Sequence, residues 1–394
     1  MNVLTFGMLY PDASRPWYGV FVEQRLRQLV ALGGVNARVV APVPWFPSAR
    51  SQFGAWAAYA RVAPREIRHG IPVEHPRFPS VPRVGMSIAP ALLALAALPA
   101  LRRLRAGGFD FDLIDAQYFY PDGVAAILLG RHFDRPVTIT ARGSDLNVIA
   151  GFALQRRMIR AAARRAAALI TVSAALKEVL VGIGLRPEAV EVLRNGVDLA
   201  QFRPPAERAA LRARLGLARP TLLSVGNLLP VKGHDLVLGA LALLPGYELV
   251  IAGAGPQDAA LRELARARGV AERVRFTGAV EQAELRDWYG AADALVLASA
   301  SEGWANVLLE AMACGTPVAA TDVGGTPELV CAQPAGVLIR QRTPQGVADA
   351  VGVLFANPPL RGATRAYAEQ FSWRETACGL RDLFTRVIAS HRPR

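Results

Sequence analysis

Residues 294–330, ALVLASASEGWANVLLEAMACGTPVAATDVGGTPELV, decide how the chain folds. ALVLAS and PVAATDVG are short, apolar, β-rich runs bounded by Ser, Gly and Pro, and residues 305–313 between them carry helical periodicity. A strand, a crossover helix and a second strand at this spacing form a βαβ unit with parallel strands. The rhythm continues upstream and downstream. TLLSVGNL, YELVIAGAG, RVRFTGAV and GVLI read as further strands, separated by helical segments at 235–244, 257–268, 282–290 and 344–356. The first half repeats it through NVLTFGML, ARVVAPV, FDLIDAQYF, PVTITAR, ALITVS and VEVLRNGV. Helical segments there include VFVEQRLRQLVALG, residues 123–130, a basic helix over 154–168, and AALKEVLVGIG. The fold class expected is α/β, with two Rossmann-like domains, each a parallel sheet covered by helices on both faces. Ligands of such sheets bind at the carboxyl ends of strands, so a cleft between the two domains is the expected site.

The length of 394 residues suits two to three domains. The stretch NGVDLAQFRPPAERAALRARLGLARP lacks a strand and contains Pro204 and Pro205. The boundaries expected are an N-terminal domain over 1–200, a linker over 201–218, a C-terminal domain over 219–370, and a final helix over 371–394 packing back on the N-terminal domain. Residues 48–85 are proline-rich and read as irregular. With 52% hydrophobic and 20% charged residues, disorder is excluded as the main state. Cys314, Cys331 and Cys378 have no CxxC spacing, which argues against a disulfide scaffold or a cysteine zinc site and fits a reducing compartment. The N-terminus has no basic region ahead of its apolar residues and reads as a strand rather than a signal peptide. The apolar run around 87–101 is shorter than the ~20 residues that span a bilayer. A cytoplasmic protein, at most peripheral on the inner face of a membrane, is expected.

Glu302 lies in the turn after ALVLAS, and Glu310 lies eight residues on. With a helix starting near Trp304, eight residues rotate about 80° and rise about 12 Å, which puts Glu310 on a similar face two turns in. A helix N-terminus faces an anion, and a carboxylate set back from it accepts bonds from a diol. Together these suit a nucleotide sugar. Lys232 adds to the case, because Lys177 and Lys232 are the only lysines among 45 basic residues.

The segment EGWANVLLEAMACGTPVAATDVGGTPELV resembles the glutamate–seven residues–glutamate signature of the retaining glycosyltransferase family 4 type, which has the GT-B fold. The resemblance extends to VLRNGVD, LLSVGNLLPVKGHDLVLGAL, YELVIAGAGPQ and RVRFTGAV. In the first half it takes in YGVFVEQRLR, IDAQYFYPDG and TITARGSDLN. The sub-branch resembled includes enzymes of bacterial exopolysaccharide and teichuronic-acid-type assembly. The resemblance implies a UDP- or GDP-sugar donor, transfer with retention to a glycan or lipid-linked acceptor, and no metal or other cofactor. Glu310 is implied to hold the ribose and Glu302 the donor sugar. The backbone of Gly303, Trp304, Ala305 and Asn306 is implied to face the sugar and diphosphate. Lys232 is likewise implied to pair with the diphosphate, Gly19 to let the first N-terminal loop approach the phosphates, and Gly278 and Val280 to lie near the base. Two positions depart from the pattern. Asn227 stands where many relatives have arginine, and Arg142 stands where many have histidine. Arg142, a bidentate phosphate binder by type, is the residue expected to supply the charge missing at Asn227.

Other motifs carry less. The DFD at 110–112 mimics a metal-binding DxD but sits where a strand begins. In VIAGAGPQD the third glycine of a dinucleotide fingerprint falls on Asp258, which counts against a nicotinamide oxidoreductase. His234 reads as a neighbour of a helix start. The net charge is +13. Arg156, Arg160 and Arg164 form a basic stripe beside Arg157 and Arg165, and Arg102, Arg103 and Arg105 follow the apolar run. An anionic membrane surface is the partner this suggests. Nucleic acid is not expected, since no binding module is present. The rival readings are a nonhydrolysing nucleotide-sugar epimerase of the same architecture and a non-catalytic sugar-binding scaffold.

Overall fold

A computed structural model describes residues 1–80 and 85–391. It divides into two compact units, one formed by Met1–Arg194 together with the C-terminal stretch from Arg374, the other by Asn195–Trp373.

The second unit is a six-stranded parallel sheet. Its spatial order is Val274–Gly278, Glu248–Ala252, Thr221–Val225, Ala294–Leu297, Val318–Thr321, Gly336–Ile339. Numbered along the chain this is 3-2-1-4-5-6, the dinucleotide-fold order, which reverses between Thr221–Val225 and Ala294–Leu297. The strands are nearly continuous apolar runs because helices cover both faces. Leu222, Ile251 and Val296 are fully buried with Val237, Leu241 and Val351 from the flanking helices.

The main sheet of the first unit has eight strands. Seven are parallel, in the order Val190–Val192, Ala168–Thr171, Val137–Ala141, Leu113–Gln117, Asn2–Phe6, Asn36–Val40, Ile71–Glu74, and Arg65–Arg68 is added antiparallel at the edge. The order reverses between Asn2–Phe6 and Leu113–Gln117. The helix Trp373–Ser390 contributes Leu380, Leu383, Phe384 and Val387 to the core that holds Val3, Val22, Leu26 and Leu29. Full burial of such side chains is worth about 1.5–3 kcal/mol each.

Four expectations change. Residues 48–85 are not irregular where they are described. They form the helix Ala55–Arg61 and the strands Arg65–Arg68, Ile71–Glu74 and Arg77–Phe78, while residues 81–84 of that stretch lie outside the described residues. The strands Arg65–Arg68 and Ile71–Glu74 are joined through His69 and Gly70, both at positive φ (49° and 78°), the two-residue turn whose twist matches a hairpin. The apolar run is part of a 22-residue helix, Gly85–Ala106, long and apolar enough by length and composition to cross a membrane. Pro90, Leu93, Ala97 and Leu101 on it are buried. The basic helix is shorter than expected, Ala153–Ala163.

The fourth change concerns the linker. Residues 201–218 belong to the second unit and include the helix Arg208–Leu215. Its arginines satisfy the end of the helix Gln282–Ala291. Arg208 and Arg212 both donate to the Ala291 carbonyl, at 2.9 and 2.8 Å, and to Asp293, at 2.6 and 2.9 Å. Asp293 also accepts the Thr221 N–H at 2.8 Å. Asp293→Ala therefore removes the counter-charge of two guanidinium groups and strands a strand N–H. We expect it to lower stability by about 1–3 kcal/mol in urea titration.

Candidate functional site

The reversal of strand order in the second unit sets residues 226–233 and 298–305 side by side at the carboxyl ends of adjacent strands. The two loops touch through the Ala300 N–H, which donates to the Val231 carbonyl at 2.7 Å. Gly233 permits this approach. It sits at φ +69°, and a Cβ there would lie 2.1 Å from the Ala298 carbonyl oxygen. Across the resulting contact Lys232 Nζ donates to Glu302 Oε1 at 2.6 Å, both side chains being partly buried. Gly324, at φ +52°, backs Glu302 from below, where a Cβ would meet the Glu302 carbonyl oxygen at 1.8 Å.

The helix that follows is Asn306–Ala313, beginning two residues later than expected. Glu302 therefore lies in the loop, and the helical-face arithmetic linking it to Glu310 does not apply. Glu310 sits on the helix and accepts the Tyr289 hydroxyl at 2.8 Å. Burial pushes its carboxyl up to about 7, against the pull of that bond, and the Tyr289 hydroxyl is held well above its ordinary range. The helix start has no side-chain cap. Gly303, Trp304 and Ala305 are buried there. The Trp304 indole N–H donates to the Asn195 carbonyl at 3.0 Å, and its ring packs 6.2 Å from that of Phe371. Asn306 Oδ1 accepts from the Asn195 amide at 3.2 Å. Trp304 is thus a packed anchor, and what its segment presents is backbone.

Asn227 is exposed, and its carbonyl accepts the Leu229 N–H at 2.8 Å. Gly278, at φ +73°, ends its strand with its carbonyl accepting the Gly253 N–H at 2.8 Å, and Val280 is half-buried in the turn beyond. His234 is buried at the start of its helix, paired with the Ser224 hydroxyl at 2.9 Å, and burial lowers its pKa. Tyr289, Gly233 and Gly324 were not singled out from sequence. Only the glycine pair at 324–325 hinted at the last.

In the first unit the reversal point carries buried carboxylates. Asp122 accepts the Met8 N–H at 2.6 Å, and burial pushes it up to about 7. Asp145 accepts the backbone N–H of Phe119 at 2.8 Å and of Gly143 at 2.7 Å. Arg142 is buried beside them. Its backbone N–H also reaches Asp145, and its guanidinium donates to Gln117, which in turn donates to Asp115 at 2.6 Å. Asp115 pairs with Arg25 at 2.8 Å. Desolvation and the neighbouring Arg25 lower the Arg142 pKa to about 9. Gly19, at φ +69°, precedes the helix Val20–Ala31, and a Cβ there would lie 2.7 Å from the Leu9 carbonyl. The glycine is required by the loop's own backbone.

The DFD carboxylates are in structural use. Asp112 takes the Asn2 N–H at 2.7 Å, and Asp110 pairs with Arg105 and Arg135. The basic stripe is broken, because Arg160 turns inward and its Nε is buried. Arg103 pairs with Glu74 and Arg102 with His132.

Residues 19–201 match the family described as Glycosyltransferase Family 4, and residues 207–371 match the one described as Glycosyl transferases group 1. The chain is built of two glycosyltransferase domains. Its fold is of the GT-B type. It superposes on sucrose-phosphate synthase from Thermosynechococcus elongatus with a TM-score of 0.80 at 22% identity, covering 99% of both chains. A second neighbour is HepE of Anabaena in complex with UDP-glucose, at TM-score 0.73 and 23% identity, covering 98% of this chain and 99% of that one. Among curated relatives, a D-inositol 3-phosphate glycosyltransferase of Jonesia denitrificans is 38% identical over 226 residues, 52% of this chain and 53% of its own length. That of Mycolicibacterium gilvum is 39% identical over 216 residues, 52% of this chain and 48% of its own. The chain spans about half the length of the curated relatives it matches. These names differ from the exopolysaccharide and teichuronic-acid sub-branch that the sequence resembles, although the family level agrees.

The glycine contacts give a test. Gly324→Ala and Gly278→Ala both place alanine at positive φ, but a Cβ at Gly278 meets nothing within 4 Å. Urea titration should show Gly324→Ala the more destabilised by about 1–3 kcal/mol, the usual cost of overpacking.

Proposed function

We propose that the protein transfers a sugar from a nucleoside-diphosphate sugar to a hydroxyl-bearing acceptor with retention of anomeric configuration. The observation that carries this reading is the Lys232–Glu302 pair at the strand-order reversal of the second unit, beside a helix start without a side-chain cap. Backbone N–H groups at such a helix start attract a diphosphate. When donor arrives, Lys232 exchanges the Glu302 carboxylate for diphosphate oxygens, and Glu302 exchanges the ammonium for hydroxyls of the donor sugar. Glu310, released from Tyr289, accepts the ribose diol. The bond between the anomeric carbon and the diphosphate oxygen breaks. Lys232 and the amides stabilise the charge that grows on that oxygen. The acceptor oxygen bonds to the same face of the sugar, and its proton passes to the departing diphosphate. The solved complexes of HepE with UDP and with UDP-glucose support a UDP-sugar as the first donor to try. In this reading the leaving-group charge is met without a metal, so EDTA should leave the rate unchanged.

Nucleoside-diphosphate release from UDP- and GDP-sugars, with and without acceptor, tests the assignment. Isomerised donor in the absence of acceptor identifies an epimerase, and donor binding without release identifies a scaffold. Lys232→Ala should lower kcat about 10²–10³-fold, the usual loss for one donor to a developing oxyanion. Arg142→Ala is the matched comparison. A loss of similar size assigns its charge to the reaction, and near-wild-type turnover leaves it as a pin between Gln117 and the 142–145 loop.

Glu310 gives a pH signature. Two ribose hydroxyls donate to the ionised carboxylate, so nucleotide affinity should rise as pH increases from 6 to 8, through the value of about 7. Glu310→Gln should abolish that rise in calorimetric titration. The folded state also holds this proton more tightly than the unfolded one, where the ordinary value is 4.5. Stability contributed by the group therefore falls as pH rises between about 4.5 and 7, and Glu310→Gln should flatten that part of the profile.

A further inference from the structure

We propose that a cavity in the N-terminal unit receives the hydrocarbon chain of a lipid-linked acceptor, so that the acceptor is an amphiphile rather than free inositol phosphate. The turnover part of this proposal rests on the transferase reading above, and the binding part does not.

The cavity measures about 490 Å³, within the range of small-molecule sites. It opens at the carboxyl ends of the strands. Met8, Pro42, Phe78 and Pro121 lie beyond four different strands of the first sheet. Trp56 and Tyr59 from Ala55–Arg61, and Met86, Ala89 and Leu92 from Gly85–Ala106, complete an aromatic and aliphatic wall. The only charged side chain among the described lining residues is Arg15, and its charge is already used. Arg15 Nε and Nη2 donate to Asp12 Oδ2 at 3.0 and 2.6 Å. Its guanidinium lies 4.6 Å from the ring centroids of both Tyr18 and Tyr59. Among the described lining residues a phosphate monoester would find no uncommitted cation to replace its water, whereas an alkyl or isoprenoid chain loses nothing by leaving water.

The surroundings suit an amphiphile. A run of ring contacts, Phe53 to Phe46 at 5.3 Å, Phe46 to Trp56 at 5.6 Å and Trp56 to Tyr59 at 5.7 Å, leads from exposed surface to the cavity wall. The first turns of two helices meet at Tyr120, whose hydroxyl donates to the Met86 carbonyl and lies beside the Gln155 side chain. Around that point Met86, Ile88, Phe152 and Leu154 are exposed, and the exposed Arg156 and Arg157 follow at once. Aromatic and aliphatic side chains next to arginines match the boundary between hydrocarbon and anionic headgroups.

The test uses the full chain and a decyl glycoside with a brominated alkyl chain, below its micelle concentration. Bromine quenches nearby tryptophan, so saturable quenching is expected for the wild-type protein. Ala89→Trp, which fills the cavity, should raise the dissociation constant at least tenfold by calorimetry. Trp56→Ser, a change at an exposed wall residue that spares the core, should weaken binding and remove most of the quenching. With donor present, a decyl-linked saccharide should be glycosylated with at least tenfold higher kcat/KM than the same saccharide without its chain, and than inositol 3-phosphate. Absence of saturable binding, or equal affinity in both folded variants, overturns the cavity assignment whether or not the protein transfers sugar. Preferred turnover of inositol 3-phosphate overturns the acceptor class while leaving the transferase reading intact.

Discussion

Two loops of the second unit can touch only because residue 233 has no side chain, a third packs under them only because residue 324 has none, and the contact brings an ammonium within 2.6 Å of a carboxylate. The pair adds little to stability, since partly exposed ion pairs are worth about 0–1 kcal/mol. Its value is positional. Gly233 fixes the turn that carries Lys232, Gly324 fixes the backbone of Glu302, and the sheet reversal places both ahead of the helix that carries Glu310. A weak ion pair on a rigid frame is suited to exchange, since each charge can leave its partner for a ligand without moving the frame.

The same sheet topology serves the two units differently. In the second, the loops at the reversal present charge. In the first, the corresponding segments turn their carboxylates inward, with Asp122 and Asp145 bonded to backbone N–H groups and Asp115, within its strand, to Arg25. What they leave facing the cavity is Met8, Tyr18, Pro121 and an Arg15 already paired with Asp12. One topology thus yields a charged loop pair in one unit and a largely carbon-lined cavity in the other.

The sheets were legible in the sequence because parallel strands buried on both faces become continuous apolar runs at regular spacing. The edge hairpin was not, because its turn uses His69 where asparagine or aspartate would have signalled it, and because the prolines around it suggested irregular chain. The helix Arg208–Leu215 reads as linker because its arginines look like solvated charge, and their use on the Ala291 carbonyl and Asp293 exists only in three dimensions. Glu302, Glu310 and Lys232 are legible from their place after strands, from the scarcity of lysine and from motif resemblance. Their partners are not, because Lys232 and Glu302 are 70 residues apart and Tyr289 and Glu310 are 21 apart. Spacing along a chain does not report such pairs.

The first unit is discontinuous, leaving off at Arg194 and resuming at Arg374 with a helix that fills its core. During synthesis the polypeptide emerges from its N-terminus, so the second unit can be complete while the first still lacks a wall. Leu26, Leu29 and their neighbours then stay wet until the helix Trp373–Ser390 leaves the ribosome, a period in which sticky surface invites aggregation or a chaperone. Any cut within Trp373–Ser390 thereby acts on a core shared with Val3, Val22 and Leu26.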